Sequence, residues 1–160
     1  MKTSILIRLQ LAIYTAICGL MLTTGCLTTH PPSAYRPIHQ LASNGDAAGV
    51  AAELALHPNE LNLPEDNGIT PLHLAAENCH SNVVALLLNK GAKINVQATD
   101  KATPLHLAAQ ENCADVVTLL LARKANVNAR DNLGRTPLKR AEEWHQDSMV
   151  QLLRQHGGTE

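Results

Sequence analysis

A chain of 160 residues, 45% hydrophobic and 17% charged, has room for one aliphatic core or one short array of repeats. One Trp, two Tyr and no Phe leave almost no platform for stacking single-stranded bases, and 13 Lys and Arg against 14 Asp and Glu supply no cationic footprint for a phosphate backbone. Nucleic acid is therefore not an expected partner. In chain order, Lys2 and Arg8 precede an uncharged stretch from Leu11 to Leu22, too short to span a bilayer; this is the layout of an export signal over residues 1–25.

Leu22-Thr23-Thr24-Gly25-Cys26 closes that stretch with small residues and a cysteine, and it resembles the lipobox of bacterial lipoproteins. The resemblance implies diacylglycerol on the Cys26 thiol, cleavage before it and acylation of the new amino terminus. Thr23 stands where the family usually has Leu, so an ordinary secretory signal with an incidental Cys26 is the alternative. Leu27 rather than Asp after Cys26 implies, by similarity to Gram-negative sorting, the outer membrane facing the periplasm. Several acyl chains on one residue anchor stably, unlike a single myristoyl group. Residues 26–37 contain Pro31, Pro32 and Pro37 and no apolar period, so they read as an extended tether.

Beyond the tether the chain repeats itself. Thr70-Pro71-Leu72, Thr103-Pro104-Leu105 and Thr136-Pro137-Leu138 recur every 33 residues, and Thr70 to Ala76 is matched residue for residue by Thr103 to Ala109. Each Thr caps a helix whose first position holds Pro, where a missing N–H costs nothing. Ser81 is expected to cap a second helix whose face, Val83, Val84, Leu86, Leu87 and Leu88, is too broad for a solvated helix and must be covered by a neighbour. Gly91 ends it, and Ala92 to Ala102 form a projecting finger. These motifs resemble the ankyrin repeat. The resemblance implies an all-α solenoid of about four helix-turn-helix repeats with short finger turns: residues 38–65 as an N-terminal cap, 66–98, 99–131, and 132–158 as a C-terminal cap. The first copy lacks Thr-Pro-Leu and is expected to carry a polar outer face, because nothing stacks there. The third finger has Ala98 and Lys101 where its neighbours have Glu65 with Gly68 and Asp131 with Gly134. A non-glycine at positive φ costs on the order of 1 kcal/mol, so that finger is expected to differ in shape.

Catalytic chemistry finds no foothold. His73 and His106 share one phase of successive repeats, where the family resemblance has the imidazole bonding the Thr of its own turn; the other histidines lack metal-ligand spacing, and no nucleophile elbow or phosphate loop is present. No metal, cofactor or small-molecule substrate is expected. Cys79 and Cys113 sit one position apart in phase in adjacent repeats, so they are either bridged or two half-buried thiols.

The resemblance implies a concave binding face made of finger tips and inner helices. Carried over residue by residue, its positions are Asp66, Asn67, Ile69, Glu77 and Asn78; Gln97, Thr99, Asp100, Ala102, Gln110 and Glu111; and Arg130, Asn132, Leu133, Arg135, Glu143 and Trp144. Trp144, Arg130 and Arg135 are expected at the energetic centre, since aromatic and Arg residues dominate hot spots; alternatively Trp144 only covers the C-terminal cap. The expected function is non-enzymatic: a monomeric, lipid-tethered array that scaffolds or inhibits a periplasmic protein. Similar ankyrin lipoproteins beside phospholipase effectors imply an immunity role, and similar bacterial proteins linked to catalase imply an assisting one. A redox-active protein working through Cys79 and Cys113 is the rival from another class; it lacks a Cys-x-x-Cys.

Overall fold

The computed structural model describes residues 37–160; the expected export signal, Cys26 and all of the expected tether but Pro37 lie outside the described residues. Four prolines each open a seven-residue inner helix: α1 Pro37–Ser43, α3 Pro71–Glu77, α5 Pro104–Gln110 and α7 Pro137–Glu143. Each is followed by an antiparallel outer helix: α2 Ala47–Leu56, α4 Ser81–Asn89, α6 Ala114–Ala122 and α8 Asp147–Gln155. Among the described residues there are eight α-helices, one 3-10 turn at Pro58–Asn62 and no strand. The inner helices stack in one row and α2, α4 and α6 in a second. Fully buried Ala75, Ala76, Ala108, Ala109 and Ala141 let the inner row approach closely, while Val83, Val84, Leu87, Val116, Val117, Leu120, Met149 and Leu153 fill the space beneath the outer row. The result is the α-solenoid that the resemblance implies.

Four local expectations are corrected. Pro37 is the first residue of α1, not the end of a tether, because Pro37-Ile38-His39 matches Pro71-Leu72-His73 at a spacing of 34 rather than 33. The residue before α4 is His80, and Ser81 is already helical. Lys101 does not reshape its finger: it takes φ 61°, against 79° at Gly68 and 74° at Gly134, and its N–H bonds Ala98 O at 2.9 Å just as Gly68 bonds Glu65 and Gly134 bonds Asp131. The adjoining fingers hold that turn, since Thr99 N–H donates to Asn67 O at 2.9 Å and Asn132 N–H to Asp100 O at 2.8 Å. Finally, the N-terminal cap is not polar outside. Ala48, Ala52, Ala55 and Leu56 are exposed on α2, whereas α8 presents Asp147, Ser148, Gln151, Arg154 and Gln155.

Asparagines stitch the repeats together. Asn62 Oδ1 accepts the Lys93 N–H at 2.8 Å, Asn95 Oδ1 the Asn126 N–H at 2.9 Å, and Asn128 Oδ1 the Thr159 N–H at 2.8 Å, each reaching 31 residues ahead. The C-terminal tail thus occupies the place of a further repeat, and Thr136 Oγ1 donates to Thr159 O at 2.8 Å. Asn95→Ala is expected to cost about 1 kcal/mol, because the exposed Asn126 N–H exchanges its amide acceptor for water. Urea titration checks this as a lower midpoint with unchanged slope; an unmoved midpoint would show that water replaces the amide fully.

Candidate protein-binding face

The finger tips are built by short side chains folding back on their own backbone. Asn67 Oδ1 accepts the Ile69 N–H at 3.1 Å, Asp100 Oδ1 the Ala102 N–H at 2.9 Å, and Asp131 Oδ1 the N–H groups of Leu133 and Arg135 at 2.9 and 3.0 Å. With the bonds between fingers, these fix three successive tips in register. They frame a shallow hollow of about 390 Å³ lined by Asn67, Ile69, Ala98, Thr99, Asp100, Ala102, Leu107 and Asn132. A second hollow, of about 470 Å³, is lined by Arg130, Leu133, Gly134, Arg135, Lys139, Glu143 and Glu160. Ten of the seventeen positions expected from sequence line these two hollows, with Ala102 buried as floor rather than exposed as contact. Asp66, Asn78, Gln97, Glu111 and Trp144 are exposed outside both hollows, and Glu77 and Gln110 are half-buried.

Two histidines brace the fingers from beneath. His73 Nδ1 takes the Thr70 N–H at 3.2 Å and lies 3.0 Å from its hydroxyl, while Nε2 donates to Ala102 O of the next finger at 3.1 Å. His106 repeats this with Thr103 and Arg135 O. Both rings are fully buried, and burial lowers both pKa values below the ordinary range. The neutral imidazole is the form that fits, since a proton on Nδ1 would face a backbone N–H.

Electrostatics are concentrated in the last repeat. Asp131, buried, receives Arg140 Nε at 3.0 Å, Arg140 Nη2 at 2.8 Å and Arg135 Nε at 2.9 Å. Burial alone would raise its pKa, but the hydrogen bonds, Arg140 first, hold it down at about 2. Arg140 also reaches Asp100 at 3.2 Å and Gln110 at 3.3 Å, tying one repeat's finger and helix to the next. Sequence reasoning left Arg140 out of the site. Its signal was a charge in the phase of Leu74 and Leu107, where a buried cation demands a partner. Arg135 is committed to Asp131 and to Glu143 at 3.2 Å, and Arg130 donates to Gly134 O and Glu160 O at 2.7 and 2.8 Å, so a partner must share these guanidiniums. Glu77 is pushed upward by burial and then by Glu111.

A model of ankyrin repeats, three copies, matches residues 9–98, 38–131 and 95–160. The chain belongs to the ankyrin-repeat family. Ankyrin repeats are a non-enzymatic interaction fold, and this array is a protein–protein interaction module. A stretch of 64 residues, 40% of the chain, is 38% identical to palmitoyltransferase akr1 of Neurospora crassa and covers 9% of that protein. The likeness lies in the repeats, and the ankyrin chain spans under a tenth of that relative's length. The ankyrin framework also explains why His73 and His106 share one phase: each joins its own Thr turn to the following finger.

Proposed function

We propose that this ankyrin array is held by lipid on Cys26 at the outer membrane, facing the periplasm, and grips one envelope protein with its concave face as a monomeric scaffold or inhibitor. One observation carries the choice of face. Among the described residues the exposed large hydrophobics are Leu56, Leu133 and Trp144, and two of the three fall on finger-tip and inner-helix positions of the last repeat. Trp144 is 60% exposed, so most of its apolar area is open to a partner, which supports the contact role over the cap role.

Trp144→Ala is expected to weaken partner binding about 30-fold or more while the melting temperature stays within about 2 °C. Capture from envelope extracts with a soluble, Cys26-free form supplies the partner, and calorimetry on both forms checks the ratio. Lost stability with kept affinity would return Trp144 to a cap role and sink this face. Capture of a phospholipase-type toxin would make the inhibitor an immunity protein; capture of a resident enzyme such as a catalase would make it a scaffold. Fatty-acid labelling that persists in Cys26→Ser would refute the anchor.

A further inference from the structure

Each seam between repeats carries a rung, in which the residue just before an outer helix reaches back to the end of the preceding inner helix. His80 Nε2 donates to Ser43 O at 2.9 Å across the first seam, and Gln146 Nε2 donates to Gln110 O at 3.1 Å across the third. At the second seam the same position is Cys113, 4% exposed, and its sulfur is bonded to that of Cys79 with the Cα atoms 5.0 Å apart. Cys79 is exposed and holds φ 60°, at the turn position occupied elsewhere by Gly45, Asn112 and His145. A covalent bond therefore stands where the other seams have a hydrogen bond.

We propose that the Cys79–Cys113 bond is a reducible rung: intact, it locks the second repeat to the third and keeps the binding face continuous; reduced, it loosens that seam alone. His73, Asn95 and the Thr99 N–H still bridge the reduced seam, but at the rung itself little replaces the lost bond. The sulfur of Cys113 lies 3.8 Å from Glu77 O, the counterpart of Ser43 O and Gln110 O, and a thiol is a weak donor beside an imidazole or amide N–H. The reductant is a dithiol. Its thiolate attacks the exposed Cys79 sulfur, the bond to Cys113 breaks, and Cys113 leaves as thiolate and takes a proton. The second thiol of the reductant then closes on the mixed disulfide and frees Cys79 as a thiol, so two electrons pass to the protein and the reductant ends as its own disulfide. Asn67 and Thr99 of the first hollow, and the pair Glu77 and Glu111, straddle this seam; Leu133 and Trp144 do not. The device is structural, with no turnover of a substrate, and it stands whether or not the proposed envelope partner is correct.

Amide exchange on the exported full chain, oxidised and after dithiol treatment, reads the seam directly. The Thr99 N–H bonds Asn67 O across the reducible seam, and the Asn132 N–H bonds Asp100 O across the third, giving a matched control. Reduction is expected to speed exchange at Thr99 by roughly tenfold or more, to leave Asn132 within about twofold, and to lower the melting temperature by about 10 °C. The variant Cys79→Asn with Cys113→Gln copies the third seam, where Asn112 and Gln146 hold these positions, and is expected to show Thr99 protected and indifferent to reductant. Two free thiols in the oxidised exported protein, equal Thr99 rates in both states, or the same acceleration at both amides would overturn the proposal, as would a variant that still responds to the dithiol.

Discussion

Asp131→Ala is expected to destabilise the array by about 3–5 kcal/mol, because it strands a cation that is itself buried. Arg140 is 4% exposed, and its Nε and Nη2 both point at Asp131 Oδ2. Without that carboxylate its remaining partners are Asp100, half in water, and a Gln110 amide at 3.3 Å. The same substitution removes the acceptor for the Leu133 and Arg135 N–H groups, so the last finger loses its turn as well as its charge balance. Denaturant unfolding checks the number. A loss below about 1 kcal/mol would mean that water reaches Arg140 and the site is solvated. The carboxylate also marks an acid limit. Its pKa falls from 3.8 to about 2 on folding, so it contributes about 2 kcal/mol that is fully present above pH 4 and is lost as pH falls toward 2.

Stability is expected to fall on mild acidification well before that point, through His73 and His106. Their pKa values are lowered in the folded state by burial, so between the ordinary value of 6.5 and the lower folded value the unfolded chain binds protons that the native chain refuses. Their contribution is complete above pH 6.5 and declines below it, at a limiting slope of about 1.4 kcal/mol per pH unit for each ring. Protonation there also removes an acceptor from the Thr70 and Thr103 N–H groups. Unfolding free energies from pH 7.5 to 5 check the expectation; a flat profile would show that both rings protonate as easily folded as unfolded.

The residues of these two predictions were not equally legible. The histidines announced themselves by recurring with Thr-Pro-Leu, and both partners of each ring lie at repeat-fixed offsets, so a periodic sequence displays them. Arg140 was visible only as a break in that period. Its partners lie 9, 30 and 40 residues away, and nothing local says that a finger carboxylate, a helix amide and a second finger converge on it. The start of the first repeat escaped for a different reason. Arg36 replaces the capping Thr and one inserted residue moves Pro37-Ile38-His39 out of the 33-residue frame, although the proline still starts the helix.

Length, period, proline placement and aliphatic phase were enough to determine that this chain is a stack of helix pairs, because each pair carries more apolar surface than it can hide alone and the repeat spacing sets where the next one lands. Tertiary structure alone decided that Lys101 adopts the glycine turn, that Cys79 and Cys113 meet, that Arg130 and Arg135 are already committed within the chain and that Arg140 gathers the charges. Those outcomes depend on atoms from another repeat, or for Arg130 and Arg135 from the same repeat's own finger, helix and tail, arriving within bonding distance. Periodicity determines which residues share a phase, whereas contact across a seam is settled by packing.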